Sequence, residues 1–186
     1  MKSDFYAEII KKIKTRNPYI KIALDADEEF LNKGGKSSPD LIKPNLYELE
    51  RLTKTRLRDF SQFFKTGKNL INSGIQYVLV TLGEKGAVGF SKTGVFWSKP
   101  PGTMEKSSVG CGDVFLSGFL HKISSGTDFE KSLQFAVACG TAKVKEEGTK
   151  MPPVPEVQKI LKETSIISCQ TVPYELKKLF RLKGSG

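Results

Sequence analysis

The segment Ser107-Ser108-Val109-Gly110-Cys111-Gly112-Asp113 sets two glycines and a carboxylate at the start of a helical pattern. Glycine lets the backbone approach an anion closely, and the N–H groups at a helix start point outward toward it. Gly110, Cys111 and Gly112 therefore read as an anion cradle. Asp113, in the first helical turn beside them, can take a proton from a substrate hydroxyl as that hydroxyl attacks a phosphoryl group. Taken alone, the same residues also make an ordinary glycine turn with Asp113 as a capping carboxylate.

Lys43-Pro44-Asn45-Leu46-Tyr47-Glu48-Leu49 places Asn45 and Glu48 three apart, on one face of a helix start. Two oxygen ligands of this kind suit hydrated Mg²⁺, which keeps several waters and takes few protein groups. The pair equally fits a capping box, in which each side chain satisfies a first-turn backbone N–H. Val80-Thr81-Leu82-Gly83-Glu84-Lys85-Gly86-Ala87 is a strand running into a glycine-bounded turn. It can present backbone groups and the Thr81 hydroxyl to a nucleotide, although plain hairpins use glycine in the same way.

These segments need elements to hold them, and the hydrophobic periodicity supplies an alternating order. A helix is expected over residues 4–16, a buried strand over 20–24 ending at Asp25, and a short strand near 41–43. Helical stretches follow, one with Leu46, Leu49 and Leu52 on one side and one carrying Phe60, Phe63, Phe64, Leu70 and Ile71, closed by Gly74. Strands are expected over 75–82, 87–90 and 95–97, then helices over about 112–124, 128–147 and 156–163, with a Lys-rich tail. Gly184-Ser185-Gly186 reads as a cloning remnant and is set aside. Such alternation predicts an α/β fold with a mostly parallel sheet covered by helices, binding ligands beyond the carboxyl ends of its strands.

Composition narrows the function classes. A chain of 186 residues with 38% hydrophobic content is expected to form one domain, taken as residues 1–183. Cys111, Cys139 and Cys169 are odd in number and form no CxxC pair, which points away from disulfide frameworks and zinc and toward a reducing, cytoplasmic setting. No apolar run approaches the roughly 20 residues of a membrane span, and no basic stretch precedes an apolar core as in a secretion signal. The net charge of +10 attracts polyanions without choosing among them; the lysines are scattered among acidic residues, and no nucleic-acid module is visible. His121 lies on a predicted helix without a paired acid and reads as structural.

Segments 43–49, 80–87 and 109–113 and the helix over 132–142 occur in the order and spacing typical of the ribokinase/phosphofructokinase-B (PfkB) kinases, which the chain resembles over most of its length. Val-Gly-X-Gly-Asp is the most specific of these motifs. The wording Lys-Pro-Asn-X-X-Glu-Leu and Val-Thr-Leu-Gly-Glu-Lys-Gly-Ala is similar to the branch of 1-phosphofructokinase and tagatose-6-phosphate kinase.

The resemblance implies ATP-dependent phosphoryl transfer to a hydroxyl of a sugar phosphate, with ATP and Mg²⁺ as cofactors. It implies that Asp113 is the base, that the amides of Gly110, Cys111 and Gly112 stabilise the transferring group, and that Asn45 and Glu48 organise Mg²⁺ through water. It also implies Lys43 near the phosphates, Thr81, Gly83, Gly86 and Gly112 bordering the nucleotide, and Ala138 and Thr141 lining its base or ribose. Two residues depart from the pattern, Cys111 where alanine is common and Val114 where serine or alanine often follows the aspartate. Length departs further. The family's kinases are longer, and their N-terminal half supplies the first strands, the lid and most sugar contacts. The chain is therefore expected to be the C-terminal nucleotide-binding portion, impaired when alone, with a homodimer or a missing N-terminal segment covering its exposed sheet edge. Specific nucleic acid and membrane are not expected as partners. Two alternatives stay open: a kinase of an unphosphorylated sugar, nucleoside or vitamin, and a non-catalytic nucleotide-binding or interaction module.

Overall fold

Short apolar stretches bounded by turn residues become strands, and longer amphipathic ones become helices. The structure, a computed structural model, describes residues 5–26, 39–102, 107–170 and 173–181. In chain order it runs α1 (Phe5–Arg16), β1 (Ala23–Leu24), β2 (Leu41–Ile42), α2 (Leu46–Thr53), α3 (Phe60–Asn72) and β3 (Tyr77–Thr81). A 3₁₀ turn (Gly83–Lys85) leads to β4 (Ala87–Ser91), β5 (Gly94–Lys99), α4 (Cys111–Ser124), α5 (Phe129–Lys143), α6 (Val154–Glu163), β6 (Ser165–Ser168) and α7 (Tyr174–Arg181).

The six strands lie in chain order in one sheet flanked by helices, an α/β fold. β1 pairs with β2, and β2 with β3, in parallel, whereas β5 and β6 pair antiparallel. The sheet is therefore mixed, with its parallel pairs at the β1–β3 side. Only Lys92 and Thr93 separate β4 from β5, and a parallel crossover takes about a dozen residues or more. The backbone has two compact units. The first comprises Met1–Val80, Phe90–Gly94 and Cys169–Gly186, and the second Thr81–Gly89 and Val95–Ser168.

In the first unit, Asp40 ties the strands to α1. Its carboxylate accepts hydrogen bonds from Lys14 at 2.6 Å, Lys21 at 3.1 Å and the Ile22 amide at 2.9 Å. Its carbonyl accepts from the Gln76 and Tyr77 amides, both at 2.9 Å, which sets the register of β3. The core is aromatic. Asp59 caps α3 by accepting from Gln62 N at 2.8 Å, and the helix buries Phe60 and Phe63. The Phe63 ring meets Phe90 at 5.4 Å and Phe180 of α7 at 5.2 Å, centroid to centroid. A Cβ on Gly67 would stand 2.4 Å from the Phe90 ring, so that approach requires glycine.

In the second unit, α5 is buried along most of its length, as expected of a helix without a polar face. Small residues let α4 come close: a Cβ on Gly118 would lie 2.8 Å from Cys139 Sγ. Ala138, Cys139 and Ala142 on the same helix pack with Val157 and Ile160 of α6. Gln134 Nε2 donates to the Thr164 carbonyl at 2.6 Å where β6 begins.

The expected elements recur with shifted ends. Only residues 23–24 of the run 20–24 are paired, α5 stops at Lys143 rather than 147, and Gly74 (φ 109) follows the Ser73 cap of α3. β6 and α7 stand where a tail was expected, and residue 4 and Gly184-Ser185-Gly186 lie outside the described residues.

Candidate phosphoryl-transfer site

Gly110 is the N-cap of α4, with φ 74 and ψ 4, and makes no side-chain cap bond. That left-handed conformation is why a glycine stands there. The turn before it is fixed by Cys111 N donating to Ser108 O at 3.3 Å, by Val109 N donating to Ser107 Oγ at 3.3 Å and by Ser107 N donating to Val144 O at 3.2 Å. The Cys111 amide is thus engaged inside the turn. Those of Gly112 and Asp113 belong to the first helical turn, where the helix itself offers no acceptor. Cys111 is half-buried, with Sγ 3.5 Å from the Ser107 carbonyl.

Asp113 is exposed, and among the described residues no hydrogen bond or ion pair holds its carboxylate. It does not cap α4 through a side-chain bond, and it favours the helix start only through its charge. A carboxylate exposed to solvent beside amides that the helix leaves without an acceptor of its own can accept a proton there.

The glycine-bounded turn is tight. Leu82 N donates to Gly86 O at 2.8 Å, and Gly86 N to Gly83 O at 3.0 Å. A Cβ on Gly86 (φ 81) would stand 2.0 Å from Ser98 O, and Trp97 Nε1 donates to Lys85 O at 2.7 Å, so packing on β5 requires this glycine. Gly83 (φ 58) has nothing near its Cβ position. Thr81, the last residue of β3, is half-buried. On α5, Ala138 is fully buried and Thr141 nearly so. Ala138 therefore cannot line a base or ribose as expected, because its methyl group is enclosed by the α5–α6 contact.

The first unit holds the other expected residues. Asn45 caps α2: its Oδ1 accepts from Glu48 N at 2.8 Å, and Glu48 Oε2 accepts from Asn45 N at 2.8 Å. This is the capping box, and it leaves one carboxylate oxygen of Glu48 outside those bonds. The oxygen donors that remain, that carboxylate oxygen among them, are of the kind hydrated Mg²⁺ takes. Lys43 is engaged by Asp25, Nζ to Oδ2 at 3.1 Å, with only 10% of its side chain exposed. The two follow β2 and β1 directly, and the parallel register Leu24↔Ile42 sets them side by side. Asp25 was not expected as a site residue, although its place at the carboxyl end of a strand was the available signal. A shallow depression of about 400 Å³ lined by Tyr47, Glu50, Arg51, Lys54, Thr55 and Arg56 contains none of the expected site residues.

His121 is exposed, with its ring centroid 6.3 Å from that of Phe135 and its carbonyl accepting the Ser124 and Ser125 hydroxyls. Among the described residues no helix is long and apolar enough to cross a membrane.

The pfkB family carbohydrate kinases match residues 1–156. The chain belongs to that family. It is 35% identical over 140 residues to 1-phosphofructokinase of Borreliella burgdorferi, a match covering 75% of the chain and 45% of that protein. With 1-phosphofructokinase of Bacillus subtilis it shares 31% identity over 139 residues, again 75% of the chain and 45% of the relative. Phosphofructokinase-2 of Escherichia coli, solved with potassium, superposes with TM-score 0.82 at 27% identity, covering 88% of the chain and 53% of that structure. The ribokinase of Arabidopsis thaliana, solved with ribose and ATP, does so with TM-score 0.69 at 26% identity, over 86% and 53%. The PfkB chain thus spans about half the length of these relatives.

Proposed function

We propose that this PfkB chain carries the phosphate cradle and catalytic base of an ATP-dependent kinase that phosphorylates a hydroxyl of a sugar phosphate, such as fructose 1-phosphate or tagatose 6-phosphate. The observation that carries the proposal is Asp113: exposed in the first turn of α4, it follows the left-handed Gly110 and has no protein partner among the described residues. A carboxylate in this place is open to a substrate hydroxyl as well as favouring the helix start by its charge.

In this reading the Asp113 carboxylate takes the proton of the acceptor hydroxyl as its oxygen bonds to the γ-phosphorus of ATP. The bond from that phosphorus to the β–γ bridging oxygen breaks, and ADP leaves. The Gly112 and Asp113 amides, at the positive end of α4, meet the charge that grows on the phosphoryl oxygens. Thr81 and Gly83 border the nucleotide, and Gly86 keeps their turn in shape. In the first unit Asn45 and Glu48 would hold Mg²⁺ through water, an ion that would supply positive charge when bound. A kinase of this type works in the cytoplasm, where its ATP is. The similarity to 1-phosphofructokinases over a shared 75% of the chain supports the sugar-phosphate class.

Calorimetric titration of the chain with ATP and Mg²⁺, beside Asp113→Asn and Gly112→Val, tests this. ATP should bind the wild type and Asp113→Asn but not Gly112→Val. In an assembly that turns over, Asp113→Asn should slow transfer by about 10²-fold or more. A folded wild-type chain that binds no ATP would sink the reading. ATP binding with no effect of Asp113→Asn on turnover would leave a nucleotide-binding module instead of a kinase.

A further inference from the structure

Lys143, the last residue of α5, is 1% exposed. Lysine is rarely buried to this degree without a charged partner, because the ammonium loses its hydration. Among the described residues Nζ donates to one group, the neutral Gly148 carbonyl, at 2.7 Å. Glu146, three residues further on, pairs instead with Lys150 at 3.2 Å. Among the described residues no carboxylate pairs with Lys143.

The side chain runs under the cradle. A Cβ on Gly110 would stand 3.7 Å from Lys143 Cε, and the next carbonyl along the chain, that of Val144, accepts the Ser107 amide that opens the same turn. The end of α5 thus carries both the backbone anchor of that turn and a buried positive charge behind it. The negative end of the α5 dipole offsets part of the burial cost, but it does not supply a counter-ion.

We infer that Lys143 is a positioning residue of the anion cradle, whose ammonium fastens the Gly148 segment beneath Gly110 and takes the bound phosphate as a counter-charge. The inference rests on reading residues 110–113 as a phosphate site. A fixed cation here attracts the anion through protein rather than water, where a unit charge acts more strongly.

Three variants separate the roles. Lys143→Met removes charge and donor, Lys143→Gln keeps a donor for Gly148 without charge, and Lys143→Arg keeps the charge. Each is compared with the wild type by calorimetry with inorganic tripolyphosphate and by amide hydrogen exchange at residues 108–112, with the α4–α5 core amides as an internal stability control. Tripolyphosphate affinity should fall by about tenfold or more in Lys143→Met and Lys143→Gln, and Lys143→Arg should recover most of it. Exchange at 108–112 should quicken in Lys143→Met more than in Lys143→Gln while the core amides stay protected. Should Lys143→Met fail to fold, Lys143→Gln decides the matter alone. Wild-type affinity in Lys143→Gln overturns the inference. If the wild type binds no tripolyphosphate, the phosphate reading falls, and with it the counter-charge. Exchange then decides the anchoring by itself: acceleration at 108–112 upholds it, and unchanged exchange removes it.

Discussion

The Asp25 carboxylate and the Lys43 ammonium meet 3.1 Å apart just beyond the ends of two neighbouring parallel strands. Lys43 is the more enclosed partner, with 10% of its side chain exposed against 30% for Asp25. Removing the carboxylate leaves a mostly buried cation unpaired, so Asp25→Asn should destabilise the chain by about 1–2 kcal/mol, partial solvent screening being allowed for. Urea unfolding measures this, and a midpoint equal to that of the wild type would show the pair to be energetically idle.

The two glycines of the 82–86 turn should respond differently to alanine. Gly86→Ala drives a methyl group into the Ser98 carbonyl, 2.0 Å away, at a φ of 81, and should cost about 3 kcal/mol. Gly83→Ala meets no neighbour and bears only its φ of 58, for about 1 kcal/mol. Thermal unfolding of the two variants gives the ranking, and equal losses would contradict the packing described.

Acid should weaken the chain partly through Asp40. Burial pushes its carboxyl up, but hydrogen bonds from Lys14, the Ile22 amide and Lys21 outweigh that and hold it below the ordinary 3.8. The unfolded state then binds the proton more tightly. The contribution is complete above the unfolded value and is lost as pH falls through 3.8 and toward the lower folded value. Asp40→Asn should lose about 1–3 kcal/mol at neutral pH and show a shallower acid limb in pH-dependent denaturation.

Cys139 should resist alkylation. Burial pushes its thiol up to about 11, against a smaller lowering by Lys122. A thiol held protonated adds stability below its unfolded value of 9.0, and that stability is lost as pH rises through about 11. Iodoacetamide at pH 8 followed by mass spectrometry should leave Cys139 unmodified in the native chain and label it after unfolding.

What was legible in the sequence was mainly local chemistry. Asn45 with Glu48 is a capping box, one of the two roles its three-residue spacing offered, and Gly110 lies in the glycine turn that its place before a helix suggested. What was not legible depends on distant partners. α7 was hidden among lysines, although Leu176 and Phe180 sit four apart on one face; their burial depends on a core built far earlier in the chain. Ser165–Ser168 shows no strong alternation because it is a partly exposed edge strand, stabilised by pairing to β5. Asp25 and Lys143 were missed for the same reason, since their significance lies in contacts across strands and turns rather than in spacing along the chain.

The interleaving of the two units also sets an order of events during synthesis. Phe60 and Phe63 leave the ribosome early, but the ring that closes over them, Phe180, follows only after the whole of the second unit has been made. Until then the nascent chain carries an unroofed aromatic surface. The time taken to translate the intervening segment is thus the interval in which a chaperone, or another nascent chain, can reach it.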